Sequence, residues 1–236
     1  MKRQLSRNVY LLLAFAFIFV VGCGAPALTG DFDLDDGTYE GFSDPGPRGY
    51  VAAELVIEDG EIVDAKLMEF DGQGERKTAD TYDYEPWIEA ENKLPEQIVA
   101  NQSSDIDAVS GATSTSDKFE QAVKRALGEE EAFAVGDYQD GVYQAESDPT
   151  DRGDYVEVSV TILLGTIVDV DMAEYREDGS EKDPDEYDHE PWVEAVETLP
   201  AAVVDAQSAD VDTVSGATST SELFQQAVQR ALDQAS

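Results

Sequence analysis

The sequence predicts an α+β fold made of two tandem homologous domains, each a twisted, mainly antiparallel sheet packed with helices. The first reason is a repeat: Ser-Gly-Ala-Thr-Ser-Thr-Ser occupies positions 110–116 and again positions 215–221, 105 positions later. The second reason is that a strand pattern precedes each copy and a helical pattern follows it. A period of about 100 residues is the size of a domain and too long for a solenoid unit, so a tandem duplication is predicted.

The chain begins with a segment that resembles a bacterial lipoprotein signal. Lys2, Arg3 and Arg7 supply positive charge, and residues 9–22 form an uncharged, mostly apolar run. This run is shorter than the ~20 residues that span a bilayer. It ends in Val-Val-Gly before Cys23, which resembles the lipobox where a lipid is joined to the cysteine thiol. An ordinary signal peptide or a short membrane anchor is the alternative.

The domain boundaries are predicted from changes in composition. Gly, Ala, Pro and Asp without periodicity indicate a tether, and a run of three glutamates near position 130 marks the joint between the domains. The predicted divisions are a signal peptide at 1–23, a tether at 24–34, a first domain at 35–128 and a second domain at 136–236. The mature protein is therefore expected to be extracytoplasmic and anchored to the cell membrane by a lipid on Cys23.

Each half contains two strand-like runs separated by a glycine turn. The runs are residues 51–57 and 61–70 in the first half and residues 156–162 and 166–172 in the second. The turns are placed at Gly60 and Gly165. Each pair of runs predicts an antiparallel hairpin with one apolar face. The polar segments that follow, 71–84 and 174–189, are predicted to be loops.

Three helices are predicted in each half. Pro86 and Pro191 are suited to the first position of a helix. Pro95 and Pro200 are predicted to end that helix and to begin a second one. The third helix follows the repeated stretch, where apolar residues recur at the spacing of one buried face. These are Phe119, Ala122, Val123, Ala126 and Leu127, and Phe224, Ala227, Val228, Ala231 and Leu232.

The chain is strongly acidic, with 52 Asp and Glu against 15 Lys and Arg and a formal net charge of −37. Nucleic acid is excluded as a partner, because binding to phosphates needs positive charge. Repulsion at this charge density is relieved by screening, which favours life in high salt, or else at high pH outside the cell. A calcium-binding surface is the alternative, but the EF-hand spacing is absent.

The counts of cysteine and histidine exclude several kinds of chemistry. One Cys and one His cannot form an intramolecular disulfide, a Cys-based cluster, a haem attachment motif or a multi-histidine metal centre. A hydrolase with Ser110 or Ser215 as nucleophile is excluded because the Gly-x-Ser-x-Gly elbow is missing. His189 is predicted to be a surface or helix-start residue. No catalytic residue and no metal site is predicted, so any redox cofactor must be organic.

The repeated stretch is expected to be a hydroxyl-rich loop that opens onto a helix N-terminus. Unpaired N–H groups and the positive end of the helix dipole favour an anion there. Gly111 and Ala112 leave the backbone open to a bulky ligand. The alternative is simple N-capping by Thr115 or Ser116, with Asp117 helping in the first turn.

An aspartate precedes each copy by three residues, and the resulting pattern Asp-x-x-Ser-Gly-Ala-Thr resembles the flavinylation motif of the FMN-binding domain family. The resemblance implies that a flavin transferase joins the phosphate of FMN to Thr113 and Thr218 as phosphoesters. Asp107 and Asp212 would be the acidic positions that the transferase requires. The implied cofactor-binding residues are Thr113, Ser110, Gly111, Ala112, Ser114 and Thr115, and Thr218, Ser215, Gly216, Ala217, Ser219 and Thr220.

The function expected from this resemblance is electron transfer. Two covalent FMN groups would relay electrons from a membrane-bound donor to an external acceptor, with the lipid anchor keeping the protein at the membrane. Trp87 and Trp192 could stack on the flavin rings, although packing in the core is the favoured interpretation. The alternative function is a surface binding module that has the same fold without flavin.

Overall fold

The computed structural model describes residues 34–183 and 187–236. The predicted signal segment with Cys23, and all but the last residue of the predicted tether, lie outside these residues. Each half has three strands followed by two helices, which confirms the α+β fold with two tandem units. The elements are β1 (Gly37–Phe42), β2 (Tyr50–Glu58), β3 (Glu61–Phe70), α1 (Glu85–Asn101), α2 (Thr113–Ala126), β4 (Gly141–Glu146), β5 (Tyr155–Leu163), β6 (Thr166–Tyr175), α3 (Glu190–Ala206) and α4 (Thr218–Gln234).

Each half contains one antiparallel sheet, in the order β1-β2-β3 or β4-β5-β6. The predicted hairpins are β2–β3 and β5–β6. Asp59 and Gly60 join the first pair with φ angles of 53° and 77°, and Leu164 and Gly165 join the second with 51° and 67°. Two successive positive φ angles are the geometry of a two-residue hairpin turn whose twist matches that of the strands.

The strands β1 and β4 were not predicted from alternation. Most residues of both strands are exposed or half-buried, so the apolar signal that marks the other strands is weak here. A glycine shows how β1 is placed. A Cβ atom on Gly41 would lie 2.0 Å from the carbonyl oxygen of Ala122 in α2, so the absence of a side chain lets the strand approach the helix.

The prediction that Pro95 and Pro200 each separate two helices is wrong. The helix α1 continues through Pro95, and α3 continues through Pro200. An interior proline removes one helical hydrogen bond and costs about 3 kcal/mol. The apolar face nevertheless runs unbroken on both sides of the proline, and it is fully buried against the sheet. Its residues are Trp87, Ala90, Leu94 and Ile98 in α1, and Trp192, Ala195, Leu199 and Val203 in α3.

The prediction of a loop beginning at position 174 is also wrong, because β6 extends to Tyr175 and includes Glu174. The following segment is anchored to the strand end by a bridge between Tyr175 and Glu181, and the first half has the same bridge between Phe70 and Arg76. The remainder of both segments lacks regular structure within the described residues. No helix in residues 34–183 and 187–236 is long and apolar enough to cross a membrane.

The helices of each half lie on one face of its sheet, with α1 on β3 and α2 on β1 and β2, and with the same arrangement in the second half. The interior of each half is a separate apolar cluster. Phe119 and Phe224 lie at the centres of these clusters and are fully buried. The same sheet-and-helix unit therefore supports the beginning of α2 and of α4.

A third, smaller apolar cluster joins the two halves. Leu163, Leu164 and Val168 of the second half are buried together with Tyr50 of the first. The ring of Tyr50 also stacks on Phe70, with centroids 4.6 Å apart. Leu164, which has an unusual positive φ, thus has its side chain buried between the halves.

Candidate functional site

The repeated loop is held close to the N-terminus of the preceding helix. Gly111 has a φ of 84°, and a Cβ atom on it would lie 3.0 Å from the Cβ of Pro86 in α1. Gly216 has a φ of 86° and the same relation to Pro191. Only a residue without a side chain adopts this conformation and fits this space easily. The glycines therefore determine the path of both loops.

Neither Thr115 nor Ser116 caps the helix as the capping alternative required. The helices begin at Thr113 and Thr218, and the N-cap positions are alanines with no side-chain cap hydrogen bond. Thr115 and Ser116 lie inside the first turn and are buried. The helix starts three to four residues earlier than capping by these hydroxyls would place it.

Ser116 instead fastens the loop to the helix. Its Oγ accepts a hydrogen bond from the N–H of Val109 at 3.1 Å and donates to the carbonyl oxygen of Ala112 at 2.9 Å. Ser221 makes the same two bonds, with the N–H of Val214 and the oxygen of Ala217, at 3.1 and 3.0 Å. These hydroxyls close each loop onto the first turn of its helix.

Thr113 and Thr218 are exposed at the first position of their helices. The N–H groups of a first helical turn have no acceptor within the helix, so they are available to an anion beside the threonine. Ser110, Gly111 and Ser114 are exposed next to Thr113, whereas Ala112 is buried. The second copy has the same pattern at Ser215, Gly216, Ser219 and Ala217.

The predicted transferase positions, Asp107 and Asp212, are exposed. The side chain of Gln97 holds the backbone of Asp107, accepting from its N–H at 2.7 Å and donating to its carbonyl oxygen at 3.1 Å. The carboxylate of Asp107 is left at the surface, where a second protein could contact it.

A buried glutamate behind the first loop was missed by the sequence reasoning. Glu69 is 7% exposed, near the end of β3. Its Oε2 accepts hydrogen bonds from Trp87 Nε1 and Thr115 Oγ1, both at 2.9 Å. Its Oε1 forms an ion pair of 2.7 Å with Lys77. One carboxylate thus connects the strand, the following loop, α1 and the first turn of α2.

The second half has the same arrangement around Glu174, which is 3% exposed. Its Oε2 accepts from Trp192 Nε1 at 2.7 Å and from Thr220 Oγ1 at 2.9 Å. Its Oε1 pairs with Lys182 at 2.5 Å. All four residues lie 105 positions after those of the first half, so alignment of the two halves could have found the group. Both tryptophans are almost fully buried, as the packing interpretation expected.

A cleft adjoins each loop. The N-terminal cleft, of about 180 Å³, is lined by Arg48, Glu69, Lys77, Tyr82, Tyr84, Trp87, Gly111, Ala112, Ser114, Thr115 and Lys118. The C-terminal cleft, of about 510 Å³, is lined by Thr150, Asp151, Arg152, Asp154, Glu174, Lys182, Tyr187, His189, Trp192, Gly216, Ala217, Thr218, Ser219 and Thr220. A tyrosine lies edge-on to the tryptophan in both, Tyr82 in the first and Tyr187 in the second.

The side chain before α1 differs between the two clefts. Tyr84 donates a hydrogen bond from its hydroxyl to the carbonyl oxygen of Gly111 at 3.1 Å. Its counterpart His189 is exposed at the N-cap of α3, which agrees with its prediction as a helix-start residue.

One lysine in each cleft, Lys118 in the first and Lys182 in the second, has a shifted pKa, and the two shifts have opposite directions. Burial lowers the pKa of Lys118, and the nearby cations Lys77 and Arg48 add to this against the attraction of Glu69. Burial also opposes the charge of Lys182, but its contacts with Glu174 and Asp154 outweigh burial and raise its pKa.

The donors present suit a ligand that carries a phosphate and a flat ring system. The free N–H groups of the first turn and the cations of the cleft match a phosphate, and the aromatic rings provide an apolar wall. Within residues 34–183 and 187–236, no group of three or more His, Cys, Asp or Glu side chains is arranged to hold a metal ion.

Comparison with known proteins gave a match in each half. A sequence model of the FMN-binding domain matches residues 46–128 and 152–233. An uncharacterized protein of Treponema pallidum (strain Nichols) is 41% identical over 96 residues, which cover 41% of this chain and 23% of that protein. The chain thus spans less than a quarter of that relative. A crystal structure of a Clostridium perfringens protein is 27% identical, with a TM-score of 0.38, and the match covers 42% of this chain and 89% of that one.

Proposed function

The chain belongs to the FMN-binding domain family, and from this premise we propose that it is an electron carrier with two FMN groups, one joined to Thr113 and one to Thr218. The observation that carries the proposal is the position of these two hydroxyls. Each is exposed at the start of a helix, beside free N–H groups. Thr218 lines the C-terminal cleft, and Ala112 and Ser114, the neighbours of Thr113, line the N-terminal cleft. The alternative of a surface module without flavin assigns no role to these features.

The attachment reaction proposed for each threonine is a phosphoryl transfer from FAD, carried out by a separate flavin transferase. The threonine Oγ forms a bond to the phosphorus of the FMN half, the pyrophosphate bond breaks, AMP leaves and the hydroxyl proton is released. The first-turn N–H groups would stabilise the negative charge on the phosphate oxygens. Asp107 and Asp212 are exposed beside the loops, where a transferase could bind them.

The buried glutamates support the site by holding the parts of the chain around it together. Glu69 holds Thr115 and Trp87, and Glu174 holds Thr220 and Trp192, so the first helical turn and the aromatic wall are fixed relative to each other. Such support from a second layer of contacts keeps a binding loop in one geometry.

FMN, when bound, supplies reversible electron transfer at its ring system, and the chain supplies position and charge. We propose that the carrier lies outside the cell, that a lipid on Cys23 holds it at the membrane, and that it passes electrons from a membrane-bound donor to an external acceptor. Membrane fractionation of wild type and Cys23→Ser tests the anchor. Unchanged processing and membrane retention of the variant would exclude lipidation at this cysteine.

The carrier role is tested by stopped-flow reduction and reoxidation with small mediators after expression with a flavin transferase. An exposed flavin that acts as a relay reacts quickly with several mediators, and Thr113→Ala and Thr218→Ala each slow transfer through the protein. Because the surface is acidic, cationic mediators should react faster than anionic ones of similar potential at low salt, and the difference should close as salt increases. Turnover of one specific organic substrate would contradict the relay.

A further inference from the structure

The two clefts carry different charges although the loops beside them are identical. Three cations line the N-terminal cleft, Arg48, Lys77 and Lys118, together with the single carboxylate of Glu69. Two cations line the C-terminal cleft, Arg152 and Lys182, together with the three carboxylates of Asp151, Asp154 and Glu174. Positive charge is thus in excess in the first cleft and negative charge in the second.

The two clefts differ by three charges, and one of these comes from a single position on the helix after the loop. Lys118 is the sixth residue of α2, and Leu223 occupies the same position of α4. The ammonium of Lys118 is half-buried and donates to the carbonyl oxygen of Gly49 at 2.7 Å. Among the described residues no carboxylate lies within ion-pair distance of it. Leu223 instead packs against the apolar cluster of the second half.

The other two charges come from the loop before the second strand, where Asp151 stands in place of Pro47 of the first half. The loop of the second half contains one residue more, Asp154, between Gly153 and the tyrosine that begins β5. Its carboxylate binds Lys182 at 3.1 Å, so this lysine is shared by two carboxylates, Asp154 and Glu174. In the N-terminal cleft the corresponding Lys77 forms an ion pair with Glu69 alone among the described residues.

We infer that the N-terminal cleft holds its flavin at a higher reduction potential than the C-terminal cleft, so that electrons pass from the flavin on Thr218 to the flavin on Thr113. This inference rests on the proposed function. A flavin that takes up two electrons and one proton gains one negative charge. Nearby cations stabilise that charge and carboxylates oppose it, and in a partly buried cleft these effects act over several ångströms. The direction of transfer is therefore set by Lys118 on one side and by Asp151 and Asp154 on the other.

The potentials are measured on two variants that each retain one attachment site. Thr218→Ala leaves the flavin on Thr113, and Thr113→Ala leaves the flavin on Thr218. Mass spectrometry first establishes that each variant carries one FMN, and a potentiometric titration followed by flavin absorbance then gives each midpoint. We expect reduction of the flavin on Thr113 to be favoured at least tenfold over reduction of the flavin on Thr218. For a two-electron couple, this corresponds to midpoints that differ by about 30 mV.

Three further substitutions assign the difference to the named charges. In the appropriate single-flavin background, Lys118→Leu should lower the potential of the first flavin, whereas Leu223→Lys and Asp154→Asn should each raise that of the second. Lys93→Leu is the matched control, because it removes one positive charge from an exposed part of α1 that lines neither cleft, and it should shift neither midpoint.

A readout without flavin checks the charge of Lys118. In the unflavinylated chain, NMR titration of isotopically dimethylated lysines, assigned with Lys118→Leu, should show this group still protonated at pH 7. A neutral Lys118 would overturn the inference, as would equal or reversed midpoints, or a shift in Lys93→Leu as large as that in Lys118→Leu. None of these results would contradict two covalent flavins, whereas absence of flavin from both threonines would contradict the proposed function itself.

Discussion

Glu69 and Glu174 each hold several parts of the chain together at the candidate sites. Each carboxylate accepts hydrogen bonds from a tryptophan, a threonine and a lysine that belong to three different parts of the chain. A buried charge is stabilised only when its hydrogen-bonding positions are filled in this way. Removal of that charge therefore affects the fold and the loop together.

Glu69→Gln should reduce the free energy of unfolding by about 3 kcal/mol, the low end for removing one member of a buried ion pair. The amide would place an NH₂ group against the donors of Trp87 and Thr115 or against the ammonium of Lys77. Urea unfolding of the full chain measures the loss. The control is Glu54→Gln, whose partner Lys66 is 57% exposed, and a loss below about 1 kcal/mol is expected there. Equal losses in the two variants would contradict the role given to Glu69.

At the scale of elements, α1 and α3 are single helices with an interior proline. The buried face of α1 contains Leu94 immediately before Pro95 and Ile98 three residues after it. Packing of that face keeps the helix intact, although the proline cannot donate a hydrogen bond to the carbonyl oxygen of Glu91.

Pro95→Ala should therefore stabilise the protein by about 2 kcal/mol, the ~3 kcal/mol cost of an interior proline less up to ~1 kcal/mol for its restriction of the unfolded chain. Thermal and urea unfolding measure the change. Pro86→Ala is the control, because Pro86 lies in the first turn, where a missing N–H costs nothing, and no gain in stability is expected. A destabilised Pro95→Ala variant would contradict the free-energy cost assigned to this interior proline.

The elements that were predicted correctly are those with a strong local signal. The alternation in β2 and β5 and the apolar spacing in α2 and α4 are readable over a few residues because one face of each is buried. The continuity of α1 through Pro95 could not be read in this way, since it depends on packing against β3. The hydrogen-bonded group of Glu69 was hidden for a similar reason, because its partners are 8, 18 and 46 residues away.

At the scale of the whole molecule, the net charge of −37 is the dominant property. Eight ion pairs are formed among the described residues, and half of them include an exposed side chain, so they offset little of the repulsion between the excess carboxylates. Repulsion between the remaining carboxylates favours the expanded, unfolded chain.

The thermal unfolding midpoint should therefore rise with NaCl concentration. Most of the rise is expected below roughly 1 M, where the Debye length falls from about 30 Å at 0.01 M to about 3 Å. Sucrose is the control, because it favours compact states without screening charge, and it should not reproduce the steep rise at low concentration. A midpoint independent of salt from 0.01 M upward would contradict adaptation of this surface to high ionic strength.

The proposed function depends on one FMN joined to each of Thr113 and Thr218 through a phosphoester bond. The most direct measurement is intact mass spectrometry of the denatured chain after expression with a flavin transferase. Wild type should gain two FMN groups, each less one water, and Thr113→Ala and Thr218→Ala should each gain one. The double variant should gain none and remain folded, because Ser116 and Ser221 hold the loops. Ser114→Ala, which removes the exposed neighbouring hydroxyl, should keep both. A double variant that still carries FMN after denaturation, or a Ser114→Ala variant that loses one, would contradict the account.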